Sequence, residues 1–305
     1  CAGSALHLRS ALLVAAAGTP AVGAMPAPGS GATSGPGPGM APPGGPISDY
    51  GAMGPFKTMT AGGSGPDGMY TMIRPTNVGE NGFKHPIATW GNGITTTPSL
   101  YPVLLSTIAS HGFVIIASDS TSVTPQMMTS GLDWLIKQND AGGMFEGKLD
   151  VKRAVTIGYS LCGGGAVNAG NHPAVVATVS FHGLPGASGS LHGPLLLLTT
   201  PADGFVTKDN YVKPCYDSST KVPTIMATLS VSGYTPSGNG GTASNADFGG
   251  HLYPLNDAGD ERAPAIAWLR LWVYGDEGAK KYFYGADCTL CKSPWLDIQR
   301  KNAMW

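Results

Sequence analysis

A serine lies where an apolar run meets a glycine-rich stretch, in residues 154–165, AVTIGYSLCGGG. The run predicts a strand and the residues after Ser160 predict a helix, which is the setting of a nucleophile elbow, a sharp turn that exposes a serine hydroxyl. The amides and dipole of that helix would stabilise the negative charge that develops during acyl transfer. Gly158 and the small Cys162, which replaces the second glycine of the usual G-x-S-x-G pattern, let the turn close. We therefore expect Ser160 to be the nucleophile, and not Cys162, which lies two residues past the apex.

A serine nucleophile needs a histidine base that is oriented by an acid. With this type of elbow, the order along the chain is serine, acid, histidine. Asp203 follows the apolar run Leu195–Thr199 by a few residues, and His251 follows two glycines in a loop before the last long helix. We expect Ser160, Asp203 and His251 to form a catalytic triad.

Other acids and histidines compete for these two roles. Asp209 and Asp217 are alternative acids, but both lie in helix-like or turn segments. His182 ends a predicted strand beside the site and is the main alternative base. Because His182 precedes the acid in the chain, we expect it to line the substrate site instead.

The rest of the chain supplies the elements that must position these residues. From about Gly54, short apolar runs alternate with helix-like stretches, and continuous apolar runs such as Phe113–Ala117 are typical of strands that are covered on both faces. The pattern predicts an α/β fold with a mostly parallel central sheet and helices on both faces. The predicted strands are Tyr70–Arg74, Pro86–Trp90, Phe113–Ser118, Ala154–Gly158, Val175–Phe181, Pro194–Thr199 and Thr224–Val231. The predicted helices are Ser99–Ser110, Pro125–Asn139, Leu161–Asn171 and Asp260–Tyr274.

Composition excludes several classes of function. The 305 residues are 42% hydrophobic and 12% charged, with 18 basic and 19 acidic side chains and a net charge of −1. This balance gives no electrostatic basis for binding nucleic acid or an anionic membrane surface. No apolar segment reaches the length of a transmembrane helix. We expect a monomer whose partner is an ester substrate.

The N-terminal residues differ in composition from the rest. Residues 1–24 contain an arginine, an apolar run and a small-residue cleavage pattern, which together predict the remnant of an export signal and hence secretion. The alternative is a lipid anchor on Cys1. Residues 25–50 are rich in Pro, Gly and Ser and predict a linker. We expect the catalytic domain to span residues 51–305.

The folded part resembles the bacterial cutinases and polyester hydrolases that include the PET hydrolases. The likeness runs from about residues 54–56 to Cys291, and its markers are RPTN at 74–77, ASHGFV at 109–114, GKLD at 147–150, the elbow, Ala202-Asp203 and Gly249-Gly250-His251. The resemblance implies an α/β-hydrolase fold and a serine ester hydrolase, with the triad on Ser160, Asp203 and His251. It also implies that the oxyanion amides belong to Leu161 and Ile94.

Several positions of the substrate site differ from the family pattern. Ile94 and Leu184 are aliphatic where the family usually has aromatic residues, and Leu161 stands where methionine is usual. Tyr159 replaces the usual tryptophan or histidine. We expect Tyr159, Leu184 and His182 to bind substrate, and we expect aliphatic esters to be preferred over aromatic polyester. The loop at 232–245 is longer than the resemblance implies.

Five cysteines in an exported protein leave at least one unpaired. The resemblance implies a C-terminal disulfide that begins at Cys288, with Cys291 as the nearest partner and Cys215 as the alternative. We expect Cys162 to be buried and free. The C-x-x-C pair lacks the further ligands that a zinc site needs, so we expect no metal and no cofactor.

Three functions are compatible with these residues. The first is a secreted ester hydrolase that acts on aliphatic esters or polyesters, with PET as a weaker substrate. The second is an esterase or lipase for small soluble esters without polymer activity. The third is a non-catalytic scaffold of the same fold, which the presence of all three triad residues argues against.

Overall fold

A nine-stranded sheet forms the centre of the protein, as described by a computed structural model for residues 41–231 and 249–302. The order of strands across the sheet is β1-β2-β4-β3-β5-β6-β7-β8-β9. The strands are β1 Thr58–Ser64, β2 Tyr70–Pro75, β3 His85–Gly91, β4 Val114–Ser118, β5 Leu149–Tyr159, β6 Val175–Phe181, β7 Leu195–Thr199, β8 Thr224–Leu229 and β9 Trp295–Lys301. The helices are α1 Pro102–Ser110, α2 Pro125–Gln138, α3 Leu161–Ala169, α4 Lys213–Ser218 and α5 Gly259–Tyr274.

The sheet is mixed, which corrects the prediction of a mostly parallel sheet. Strands β4, β3, β5, β6, β7 and β8 are parallel neighbours, whereas β1 pairs antiparallel with β2, β2 with β4, and β8 with β9. The antiparallel pairs lie at the two sides of the sheet. Two of them contain strands that apolar patterning did not predict, since β1 and β9 are largely solvent-facing and carry many polar or small residues.

Helices cover both faces of the sheet, as the sequence predicted. Along β4, Val114 and Ile116 pack in a core with residues of α2, whereas Ile115 and Ala117 pack in a second core with residues of α1 and α5. Alternate residues of a strand point to opposite faces, so these two cores lie on opposite sides of the sheet. The continuous apolar runs in the sequence arise from this two-sided burial.

The predicted elements correspond to the observed ones within a few residues. All seven predicted strands and all four predicted helices are present among the described residues. The short helix α4 was not predicted, and a turn of π-helix at Lys208–Val212 leads into it. None of the helices in the described part is long and apolar enough to cross a membrane.

The buried side chain of Arg270 on α5 fixes the end of the predicted linker. Its Nε donates to Asp276 at 2.7 Å, and its two terminal nitrogens donate to the carbonyls of Pro43 and Gly45 at 3.1 and 3.2 Å. Tyr50 is completely buried. The described residues 41–50 therefore pack against α5. The predicted export signal at 1–24, Cys1 and the first part of the predicted linker lie outside the described residues, as does the segment 232–245 that was predicted to be a long loop.

A disulfide joins Cys288 to Cys291, the nearer of the two predicted partners. Cys215 is buried and free, and so is Cys162. The disulfide closes a short loop immediately before β9, and Cys162 and Cys215 remain thiols.

Replacing both Cys288 and Cys291 with serine should lower the free energy of unfolding by at most ~1–2 kcal/mol, because a loop this short loses little entropy when it is closed. Denaturant unfolding of the variant and of the wild type measures this difference. In the wild type, both thiols should resist alkylation until a reductant is added. Alkylation of both without reductant, or a cross-link to Cys215, would contradict the assignment.

Candidate active site

Ser160 occupies a strained turn between β5 and α3. Its φ of 58° and ψ of −123° lie in a region that costs a non-glycine residue about 1–3 kcal/mol. A Cβ at Gly158 would overlap the carbonyl oxygen of Cys162, so this position of the elbow requires glycine. The segment 181–184 holds the turn in place, because Ser160 N donates to Phe181 O and Leu184 N donates to Ser160 O, both at 3.0 Å.

His251 lies within hydrogen-bonding distance of both other predicted triad residues. Its Nε2 is 2.9 Å from Ser160 Oγ, and its Nδ1 is 2.7 Å from Asp203 Oδ2. A Cβ at Gly250 would press against the backbone of Ala202, so glycine permits the loop that contains His251 (the histidine loop) to approach the loop that contains Asp203 (the acid loop). The hydroxyl of Tyr159 donates to His251 O at 2.7 Å and holds the loop from the other side.

The carboxylate of Asp203 is buried and accepts four hydrogen bonds. Oδ1 accepts from the backbone amides of Phe205 and Val206 at 2.9 and 2.7 Å. Oδ2 accepts from His251 at 2.7 Å and from His182 Nδ1 at 3.2 Å. Burial would raise the pKa of Asp203, but the hydrogen bonds from the two histidines outweigh burial and hold it well below its ordinary value. The carboxyl group is therefore ionised at neutral pH.

Burial lowers the pKa of His251 below 6.5, although the hydrogen bond and charge of Asp203 oppose that effect. The imidazole is therefore neutral at pH 7. With Nδ1–H donating to Asp203, the free electron pair of Nε2 faces the hydroxyl of Ser160. This is the protonation state that a general base requires.

The predicted oxyanion amides belong to residues beside Ser160. Leu161 is the first residue of α3, so its N–H has no acceptor within the helix. A Cβ on Gly93 would lie 3.4 Å from the Cβ of Ser160, which places the loop containing Ile94 against Ser160. Among the described residues, no acceptor is found for the N–H of Ile94. Both side chains are half-buried.

The three predicted substrate-binding residues are buried. Tyr159 is 2% exposed and its hydroxyl is bonded to the backbone of His251. Leu184 is 7% exposed and packs in an apolar cluster with Val167 and Leu191. His182 is completely buried between Asp203 and Glu261, so the expectation that it lines the substrate site does not fit the structure. Tyr159 and His182 therefore contact His251 and Asp203 from the interior of the protein.

Two side chains near the site were not identified from the sequence. Glu261, in the first turn of α5, is completely buried with Oε1 at 2.9 Å from His182 Nε2. Phe205 is half-buried and its ring centre lies 5.1 Å from that of His251. Phe205 could have been identified from the sequence, because it lies two residues after the predicted acid Asp203. The sequence around Glu261 gives no such signal, since an acid in the first turn of a helix is common.

Cys162, two residues after Ser160, is a buried thiol that does not ionise at neutral pH. Burial raises the pKa of Cys162 to about 12, and its thiol donates to Val123 O at 3.3 Å. The potential ligand atoms of His182, Asp203 and His251 lie within 4.8 Å of one another, a spacing that would suit a metal. Those of both histidines already bond to Asp203, so binding an ion would break hydrogen bonds that the site depends on.

A family model matches most of this sequence, and several curated cutinases match less than half of it. A family model described as PETase, PET hydrolase-like, matches residues 35–294. The chain is 29% identical over 151 residues to Cutinase est2 of Thermobifida alba, across 46% of this chain and 49% of that protein. It is 29% identical over 136 residues to Cutinase 2 of Thermobifida cellulosilytica, across 41% of this chain and 51% of that protein. It is also 29% identical over 136 residues to Cutinase cut1 of Thermobifida fusca, across 41% and 42%.

The chain spans about half the length of these curated relatives. The family match is broader, and it includes the elbow, the acid loop and the histidine loop. The chain therefore belongs to the PET hydrolase-like family.

Proposed function

We propose that this protein is a secreted serine carboxylic ester hydrolase that acts through an acyl-enzyme on aliphatic esters and polyesters. One observation carries the proposal: a continuous chain of hydrogen bonds runs from Ser160 Oγ through His251 to the buried carboxylate of Asp203. Its distances of 2.9 and 2.7 Å suit proton transfer from the serine. Similarity to cutinases supports an ester as the substrate, and the disulfide is in keeping with secretion.

The geometry supports a two-step acyl transfer. Ser160 Oγ attacks the ester carbonyl while His251 Nε2 takes the serine proton, and the amides of Leu161 and Ile94 stabilise the oxyanion. His251 then donates that proton to the departing alcohol, which leaves an acyl-serine ester. Water, deprotonated by His251, attacks the acyl group; the bond to Ser160 Oγ then breaks, His251 returns the proton to Oγ, and the acid is released. Asp203 stays ionised throughout and stabilises the imidazolium.

The side chains at the mouth of the site favour aliphatic substrates. Ile94 and Leu161 are half-buried and aliphatic, and they flank the proposed oxyanion amides. Tyr159 is committed to His251, which leaves Phe205 as the half-buried ring next to that histidine. An aromatic polyester gains from ring contacts on both sides of the ester, whereas an aliphatic chain needs only an apolar wall.

Ser160→Ala should reduce the hydrolysis of a p-nitrophenyl ester by ~10⁴-fold or more and leave folding intact, because the other triad residues cannot act without the nucleophile. A fluorophosphonate should label Ser160 in the wild type and nothing in the variant. Cys162→Ala is the matched control, and it should retain activity because its thiol stays protonated. Labelling at another residue would refute the proposal.

Activity should decrease as pH falls through the pKa of His251, because the protonated imidazole cannot accept the serine proton. Burial lowers that pKa, so the midpoint of the acid limb of kcat/KM should lie below pH 6.5. A rate profile between mildly acidic and neutral pH measures it. His172→Gln, at a half-buried histidine paired with Asp133, should leave the midpoint unchanged. A midpoint above 6.5 would contradict the lowered pKa of His251.

Aliphatic polyester should be hydrolysed faster than amorphous terephthalate polyester at equal enzyme loading. Adding one ring contact with Ile94→Phe should raise the aromatic rate roughly 2- to 10-fold, from ~0.5–1.5 kcal/mol per ring pair. Leu296→Phe adds the same ring at an exposed position on β9 and should change nothing. A preference for the aromatic film in the wild type, or an Ile94→Phe variant with an unchanged aromatic rate, would contradict this substrate range.

A further inference from the structure

The proposed catalytic acid is shared by two histidines. Asp203 Oδ2 accepts from His251 Nδ1 at 2.7 Å and from His182 Nδ1 at 3.2 Å. The other ring nitrogen of His182 lies 2.9 Å from Glu261 Oε1. The chain of hydrogen bonds therefore continues beyond Asp203 to His182 and Glu261, which are both completely buried.

The hydrogen bonds define the charge of His182. An ionised carboxylate only accepts, so a histidine that bonds to two carboxylates through its two nitrogens must donate from both. Burial alone would lower the pKa of His182, but Glu261 and Asp203 outweigh burial and raise it to about 9. His182 is therefore a fixed cation between two anions, unlike the neutral His251.

Glu261 lies where a negative charge is stabilised. It lies in the first turn of α5, where the positive end of the helix dipole stabilises a negative side chain. Its second oxygen, Oε2, has no hydrogen-bond partner within the described part of the chain. The charge of Glu261 is therefore compensated through His182 and the start of the helix.

The backbone of His182 ties this pair to the nucleophile. Its φ of 46° is unusual for a residue other than glycine. The neighbouring Phe181 accepts from Ser160 N, and Leu184 donates to Ser160 O. The segment 181–184 thus clamps the backbone of the nucleophile while its histidine contacts the acid.

Few charged groups face His182. Asp203 comes from the loop after β7, Glu261 from α5, and His251 from the loop before α5, with its ring centre 6.3 Å from that of His182. Tyr253 and Asp260 interact with each other, and the charges of Asp260 and Glu261 both act on Tyr253. The positive charge of His182 lowers the pKa of His251 further.

We propose that His182 and Glu261 are positioning residues, in which Glu261 holds His182 and His182 in turn holds Asp203 toward His251. The positive charge of His182 also disfavours a proton on His251. The proposal rests on the proposed ester hydrolase function. It assigns the pair no contact with substrate.

Glu261→Gln tests the proposal, because glutamine keeps the shape and removes the charge that keeps His182 protonated. A neutral His182 no longer repels a proton on His251, so the acid limb of kcat/KM should move up by about 1–2 pH units, from one charge 6.3 Å away at an effective dielectric constant of roughly 20–40. Asp260→Asn is the matched control: it removes the same charge from the same helical turn at an exposed residue and should leave the limb in place.

Nitrogen-15 NMR of the histidine rings in the full wild-type chain gives a second readout that does not depend on activity. Both ring nitrogens of His182 should be protonated at pH 7, and one of them should lose its proton in Glu261→Gln. If Glu261→Gln does not fold, the wild-type spectrum decides: two protonated nitrogens support the proposal and one bare nitrogen overturns it.

The outcomes separate this proposal from the proposed function. A wild type that hydrolyses no ester refutes the function, and with it the pH effect assigned to the pair. An active wild type whose acid limb is unmoved by a folded Glu261→Gln, as a purely structural role would require, overturns the proposal alone. An equal shift in Asp260→Asn also overturns it, because the effect would then be a general one of surface charge.

Discussion

The site depends on one buried carboxylate whose hydrogen-bonding capacity is completely used. Asp203 accepts from two backbone amides and two histidines, so three separate segments must meet at its two oxygens. Removing a partner from a buried ion pair costs about 3–5 kcal/mol, because the remaining charge is left uncompensated. The sheet makes the meeting possible: β5, β6 and β7 are parallel neighbours, and their carboxyl ends deliver Ser160, His182 and Asp203 to one edge.

The same arrangement maintains the strained conformation of Ser160. Ser160 cannot relax from its left-handed conformation while Phe181 and Leu184 hold its amide and its carbonyl. Gly163, in the helix that follows Ser160, and Gly183, in the segment that holds Ser160, let these two parts of the backbone touch. A Cβ on either glycine would overlap the other glycine. The strain of the elbow is therefore offset by packing and hydrogen bonds that also fix His182, and the nucleophile and the acid are positioned by one segment.

The parts of the protein that were predictable from the sequence are those with local signals. The elbow, the chain order of its partners and the two-sided apolar runs located the triad candidates and the central strands. The edge strands Thr58–Ser64 and Trp295–Lys301 have no such pattern, because an edge strand that faces solvent needs no apolar stripe. Glu261 lies 79 residues from His182 in the chain, so only the tertiary fold brings them together. For His182 the neighbourhood was predictable, but the direction of its side chain was not.

Stability does not explain why the interior beside Asp203 is polar. Apolar residues of similar volume in place of a buried ion pair are often neutral or stabilising by about 1–4 kcal/mol, because they avoid the desolvation of two charges. His182 and Glu261 bear that desolvation, and one oxygen of Glu261 has no partner among the described residues. An apolar residue at 182 would fill the space, but it would leave Oδ2 of Asp203 with a single partner and no neighbouring cation. The pair therefore sets the charge and direction of the carboxylate on which His251 depends, and this effect accounts for a polar pair in an otherwise apolar interior.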